Sequence, residues 1–142
     1  MKEAMEITEV VDRISAHQPN TKLRDASAVP VGKCFRQGDV YFARVDAVRH
    51  ANLTERKNRQ LVAGTSRGSR HVIDGSATLY EPERSLMPAY VDDDALLLPS
   101  VVVGKGGATL THPEHAWFTL PAGSNWVTWQ QMDPRTRQRV QD

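Results

Sequence analysis

Two histidines and a carboxylate surround one proline in the run Leu110-Thr-His-Pro-Glu-His115. A β-turn brings its first and fourth residues to within about 7 Å, and proline is favoured at the second position. We therefore predict that His112 and His115 face each other across a turn, because on a straight strand their side chains would lie on opposite faces. Neutral imidazole is the commonest side-chain ligand of protein-bound metals, so this spacing indicates a candidate metal site.

A third histidine, His71, ends the glycine- and serine-rich run that begins at Gly64. If it lies near the turn, then His71, His112 and His115 supply the three imidazoles of a catalytic site with one open position. Glu114 is the candidate catalytic residue, either as a ligand or as the general base that activates water or dioxygen. The expected ion is zinc, iron or manganese. The alternative is that His112 and His115 only cap a hairpin while His71 packs on a barrel wall.

The elements that must position these side chains are short segments of β-branched and aromatic residues, about one every ten residues from Gly38 onward. This pattern is typical of an all-β sandwich or barrel. Asp74-Gly75 is a two-residue hairpin signal, and Gly104-Lys-Gly-Gly107 is a looser one. Trp126 and Trp129 should face opposite sides of the last strand. The predicted strands are 39–46, 59–63, 69–74, 77–81, 95–103, 107–112, 115–120 and 125–132.

The first part of the chain has a different pattern. Apolar residues between Ile7 and Ile14 have the spacing of one helical face. We predict an amphipathic helix and a connecting arm over 1–37, followed by a β-domain over 38–142. The fold class is therefore mainly β, a small antiparallel barrel or sandwich of about seven to eight strands with one N-terminal helix. Residues 82–94 contain two prolines and an acidic run, and we expect a long loop at one end of the barrel.

Composition narrows the function classes. The formal net charge is +1, so no whole-molecule field favours nucleic acid or an anionic membrane. No apolar run approaches the roughly 18 residues of a membrane span, and we expect a cytoplasmic protein without membrane contact. Cys34 is the only cysteine, which excludes an internal disulfide and a cysteine-rich zinc site. Its expected role is that of a small core side chain.

The run from Val101 to Arg135 resembles the C-terminal half of small, uncharacterised bacterial and phage proteins. These have a glycine- and histidine-rich turn, then His-x-x-His, a Leu-Pro-x-Gly corner and a final strand ending in Gln, here Gln130. The resemblance extends to Gln37-Gly-Asp-Val40 and, weakly, to the Gly64–His71 run, where Ser69 replaces a histidine that the family often has. It implies the β-fold and brings no activity with it.

A looser similarity is to cupins, β-barrels whose metal is held by histidines from two motifs. Leu120-Pro-Ala-Gly123 matches the corner of their second motif, but Asn125 and Trp126 occupy the place of the histidine expected after it. The similarity implies a cupin-like barrel whose metal ligands come from the histidine hairpin.

The sequence thus predicts a cupin-like protein that binds a divalent transition metal, and it leaves open whether the chain is an enzyme. The alternative is a non-catalytic interaction or assembly subunit of a bacterial or phage complex, which works through a protein partner or self-association. Nucleic-acid binding is a weaker option that would use a local set of arginines: Arg67, Arg70, Arg135, Arg137 and Arg139.

Overall fold

A computed structural model describes residues 23–49 and 51–131. This part of the chain is mainly β, as predicted, and contains short 3-10 turns at Ala26–Ala28, Arg67–Ser69 and Arg84–Leu86. The predicted N-terminal helix lies outside the described residues. The strands are β1 (Arg24–Asp25), β2 (Cys34–Gln37), β3 (Val40–Val45), β4 (Glu55–Arg56), β5 (Val72–Tyr80), β6 (Leu96–Thr111), β7 (Phe118–Leu120) and β8 (Asn125–Gln130).

All eight strands form one sheet that curls into a half-barrel. Its main path is β1-β7-β6-β8-β3-β2, while β5 pairs with β6 and β4 pairs with β5. On one side of β6, residues 96–102 pair with β8 and residues 108–110 pair with β7, while residues 100–111 pair with β5. Because this one strand changes neighbours along its length, it carries the bend that curls the sheet. The residues from 24 to 37 contribute β1 and β2 to the same sheet.

The two hairpins predicted at Asp74-Gly75 and Gly104–Gly107 are wrong. Both runs lie inside continuous strands, β5 and β6, which pair with each other from Val72↔Thr111 to Tyr80↔Ser100. Gly75 has a φ of +99°, and the register shifts between Gly75 and Ala77. A β-bulge needs this conformational freedom as much as a turn does. The glycines therefore mark the place where the paired strands bend together.

The strand predicted at residues 59–63 is wrong, because these residues form only an isolated bridge, Gln60↔Val72, although Leu61 and Val62 are buried. Residues 82–94 form a loop, as predicted, which contains a 3-10 turn and packs on the outer face of the sheet. The expectation that Cys34 is a core side chain is also wrong. Cys34 is exposed, because it lies on the edge strand β2 rather than in the core.

The two faces of the sheet carry separate apolar clusters. On the inner face, the Phe35 ring stacks on Phe42 and Phe118 and meets the edge of Trp126. On the outer face, Trp129 packs with Val127 beneath residues of the 82–94 segment. The prediction that Trp126 and Trp129 face opposite sides is confirmed, and both are buried. No helix in the described ranges is long and apolar enough to span a bilayer.

Candidate metal centre

Polar side chains replace apolar ones at one end of the inner face. Gln37 follows Phe35 on β2, Gln130 follows Trp126 and Thr128 on β8, and His112 comes two residues after Leu110. Side chains alternate between the faces of a strand, so these positions continue the inward-facing series. We name the group of six residues in this region the inner-end cluster: Gln37, Asp39, His71, His112, His115 and Gln130.

The structure brings the three predicted histidines together. The ring centroids of His71 and His112 are 4.4 Å apart, as are those of His112 and His115. The His71 and His115 rings are 6.5 Å apart and nearly parallel, with an interplanar angle of 14°. The turn at residues 112–115 therefore lies directly against the end of the Gly64–His71 run.

Hydrogen bonds fix the protonation pattern of His71, which is fully buried. Gln37 Nε2 donates to the carbonyl of Ala116 at 2.8 Å and, at 3.4 Å, to that of Leu110. The amide group of Gln37 must therefore turn Oε1 toward His71 Nδ1, which is 2.8 Å away. An oxygen acceptor at this position requires the proton on Nδ1. In the neutral ring, Nε2 then carries a lone pair.

The Nε2 atom of His71 also faces a carboxylate. His71 Nε2 is 3.3 Å from Asp39 Oδ1, but it is a buried atom without a hydrogen-bond partner among the described residues. The short contact and the missing hydrogen bond agree with each other. The nitrogen and the oxygen are close enough for an ion pair, but their relative direction is not that of a hydrogen bond. Gln130 Nε2 donates to Asp39 Oδ2 at 2.7 Å, and Gln130 Oε1 is a second buried atom without such a partner.

His112 has both ring nitrogens engaged. Its Nδ1 accepts from the backbone N–H of Glu114 at 3.0 Å, so its proton must lie on Nε2, which is 3.2 Å from the carbonyl oxygen of Gly68. Burial lowers the pKa of His112 to about 4, and the neighbouring His71 adds to this effect. His112 is thus held as a neutral ring that joins the turn to the 3-10 turn at Arg67–Ser69.

The remaining predicted residues are exposed, half-buried or outside the described residues. Glu114 is exposed, and its Oε2 is 3.9 Å from Arg67 Nε. His115 is half-buried against His112. Arg70 is exposed, whereas Arg135, Arg137 and Arg139 lie outside the described residues.

Within residues 23–49 and 51–131, no group of three or more His, Cys, Asp or Glu side chains is placed so that it could hold a metal ion. The cluster does present one imidazole nitrogen of His71 and one carboxylate oxygen of Asp39 side by side, 3.3 Å apart. The ring of His115 lies 6.5 Å from that of His71.

Neither Asp39 nor Gln37 was predicted from the sequence to belong to a metal site. Both lie in the run Gln37-Gly-Asp-Val40, which forms the tight connection from β2 to β3, with Gly38 at a φ of +57°. The sequence feature that could have pointed to them is Asp39 in a two-residue turn, directly after the inward-facing amide side chain of Gln37. Only the pairing of distant strands shows that this turn meets His71.

Comparison with known proteins places the chain in a family. Residues 36–131 match the family described as Domain of unknown function (DUF8820). The chain belongs to this family. No curated protein matches the chain, and no solved structure matches it either.

The family match contains the whole inner-end cluster. It begins one residue before Gln37 and ends one residue after Gln130. It also contains the bent pair β5 and β6, whereas β1 lies before it. The family domain thus comprises the curled sheet from β2 to β8 and the polar residues at its end.

Proposed function

We propose that this chain binds a divalent transition metal ion at the inner-end cluster, between His71 Nε2 and Asp39 Oδ1, with His115 as the third protein ligand. Zinc, iron and manganese are the candidate ions. A water molecule would fill an open position, and Glu114 is the nearby carboxylate available as a general base.

The observation that carries this proposal is that a buried imidazole nitrogen lies beside an oxygen of a partly buried carboxylate. The nitrogen and oxygen ligands of a tetrahedral zinc ion lie about 2.0–2.1 Å from it, which puts them about 3.3 Å from each other. The His71–Asp39 separation of 3.3 Å equals that edge. The two atoms do not form a hydrogen bond, because Asp39 Oδ1 does not lie in the direction in which an N–H at Nε2 would point. A cation beside both atoms would give the buried His71 Nε2 a partner and would be attracted by the charge of the Asp39 carboxylate.

Neighbouring hydrogen bonds support this assignment. Ligating histidines usually donate their other N–H to an oxygen, and ligating carboxylates are themselves hydrogen-bonded. His71 Nδ1 meets Gln37 Oε1, and Asp39 Oδ2 accepts from Gln130. Each proposed ligand therefore has the partner that orients it.

His115 would complete the set by rotation of its side chain while the turn stays in place. Two imidazoles bound to one tetrahedral ion have ring centroids about 5 Å apart. The His71 and His115 centroids are 6.5 Å apart and the rings are nearly parallel, so the His115 ring must turn toward the ion that His71 binds. His112 packs between them and keeps its backbone hydrogen bonds in the proposed site.

The test is zinc binding by the full chain after treatment with a chelator, measured by calorimetry and by elemental analysis. Asp39→Asn and His115→Ala should each weaken zinc binding by about 100-fold or more, because each removes a ligand rather than an orienting partner. Asp74→Asn is the matched control, since Asp74 is exposed on β5, and its affinity should equal that of the unmodified chain. Absence of binding by the unmodified chain would refute the proposal.

A further inference from the structure

Gln37 lies at the junction of the inner-end cluster. Its side chain is buried and uses both ends of its amide group: Oε1 faces His71 Nδ1, and Nε2 donates to Leu110 and Ala116. Those two carbonyl groups lie on either side of the turn that carries His112 and His115. One side chain therefore links the edge strand β2, the start of β5 and both ends of the histidine turn.

The orientation of this amide group is determined by its surroundings. Rotating it by 180° would put Oε1 against two carbonyl oxygens, which cannot donate, and Nε2 against His71. The buried amide would then lose its hydrogen bonds to Leu110 and Ala116. The observed orientation is thus fixed by the backbone, and it imposes the Nδ1–H tautomer on His71.

We propose that Gln37 is the positioning residue of the metal centre: it holds His71 as the Nδ1–H tautomer, with Nε2 presented beside Asp39, and it fixes the turn that carries His115. The effect on metal binding rests on the function proposed above. The effect on the tautomer belongs to the metal-free chain and is tested separately.

The first experiment measures the imidazole ¹⁵N chemical shifts of His71 in the metal-free chain, in mildly alkaline buffer. The unmodified chain should have the proton on Nδ1 and none on Nε2. Gln37→Met should move the proton to Nε2, because Asp39 Oδ1 is then the remaining acceptor beside the ring. A proton on His71 Nε2 in the unmodified chain would overturn the proposal.

The second experiment measures zinc affinity. Gln37→Met should weaken binding by about 10- to 100-fold, as expected when the orienting partner of a ligand is lost. Ser124→Ala is the matched control, because it removes a buried partner of Trp126 at a place outside the inner-end cluster. The zinc affinity of Ser124→Ala should equal that of the unmodified chain, even if its melting temperature changes as much as that of Gln37→Met.

The outcomes separate the two proposals. If the unmodified chain binds no zinc but the tautomer changes as described, the metal function fails and the positioning role of Gln37 stands. If zinc binds and Gln37→Met leaves both the tautomer and the affinity unchanged, the positioning role fails. Should Gln37→Met not fold, the tautomer of the unmodified chain still decides, since Nδ1–H is required there.

Discussion

At the scale of single residues, His112 is the side chain whose charge state is most restricted. It accepts from the N–H of Glu114 and donates to the carbonyl of Gly68, and a second proton would replace the acceptor with a donor. His71 and His115 lie against it and add to the lowering of its pKa by burial, which the hydrogen bond to Gly68 and, more weakly, the charge of Asp39 oppose. Protonation of His112 therefore destabilises the folded structure.

This restriction predicts a pH dependence of stability. The pKa of His112 is about 4 in the folded chain, against an ordinary value of 6.5. Between these values the unfolded chain binds a proton that the folded chain does not, so the free energy of unfolding should fall as the pH falls from 6.5 toward 4. The slope from this group is at most about 1.4 kcal/mol per pH unit.

Denaturant unfolding across this range measures the slope. His112→Asn is the variant for comparison, because its side-chain oxygen can still accept from the N–H of Glu114 while it does not titrate. Its stability should vary less with pH. Equal slopes for the two proteins would show that His112 does not control acid sensitivity.

At the scale of elements, the bend shared by β5 and β6 depends on glycine. Gly75 has a φ of +99°, and a Cβ there would lie 2.9 Å from the carbonyl oxygen of Gly107. Gly75→Ala should therefore destabilise the chain by about 1–3 kcal/mol. Gly68→Ala is the control, since a Cβ at Gly68 meets nothing within 4 Å, and it should change stability by less than about 0.5 kcal/mol. Chemical denaturation distinguishes the two, and a similar small effect at both positions would contradict the account of the bend.

Arg59 stabilises the same bend through hydrogen bonds to the backbone of β5. Its guanidinium donates to three carbonyls of β5, those of Ile73 at 2.9 Å, Gly75 at 2.7 Å and Ala77 at 2.6 Å. Arg59→Met should cost about 2–3 kcal/mol of unfolding free energy, because it removes charge-assisted hydrogen bonds from partly buried carbonyls.

The matched variant for this prediction is Arg56→Met on β4, whose Nε lies 3.6 Å from Glu81. A surface ion pair of this kind contributes about 0–1 kcal/mol. If Arg56→Met destabilised the chain as much as Arg59→Met does, the role of Arg59 at the bend would be disproved.

The β-pattern predicted several elements but not their connections. Composition predicted β3 and β8 closely, and the spacing of Trp126 and Trp129 predicted that they lie on opposite faces, but it did not predict that both are buried. Gly75 and Gly107 were interpreted as turns because local sequence cannot distinguish a turn from a bulge, both of which use positive φ. The difference is decided by long-range pairing of β5 with β6, which has no local signal.

At the scale of the whole molecule, the inner-end cluster is where the buried core changes from apolar to polar. Its residues come from β2, the β2–β3 turn, the start of β5, the turn after β6 and the end of β8. The sequence identified the three histidines by their type and by the turn at Pro113. It did not identify Asp39 as a member of this cluster, since a single aspartate in a hairpin has no distinctive sequence pattern until the curled sheet brings it to His71.

Metal binding beside His71 and Asp39 can be observed in an anomalous difference map from crystals of the full chain grown with zinc, recorded at the zinc absorption edge. We expect one strong peak about 2.0–2.2 Å from both His71 Nε2 and Asp39 Oδ1. A map with no peak there, or with zinc bound only at surface residues, would contradict the proposal.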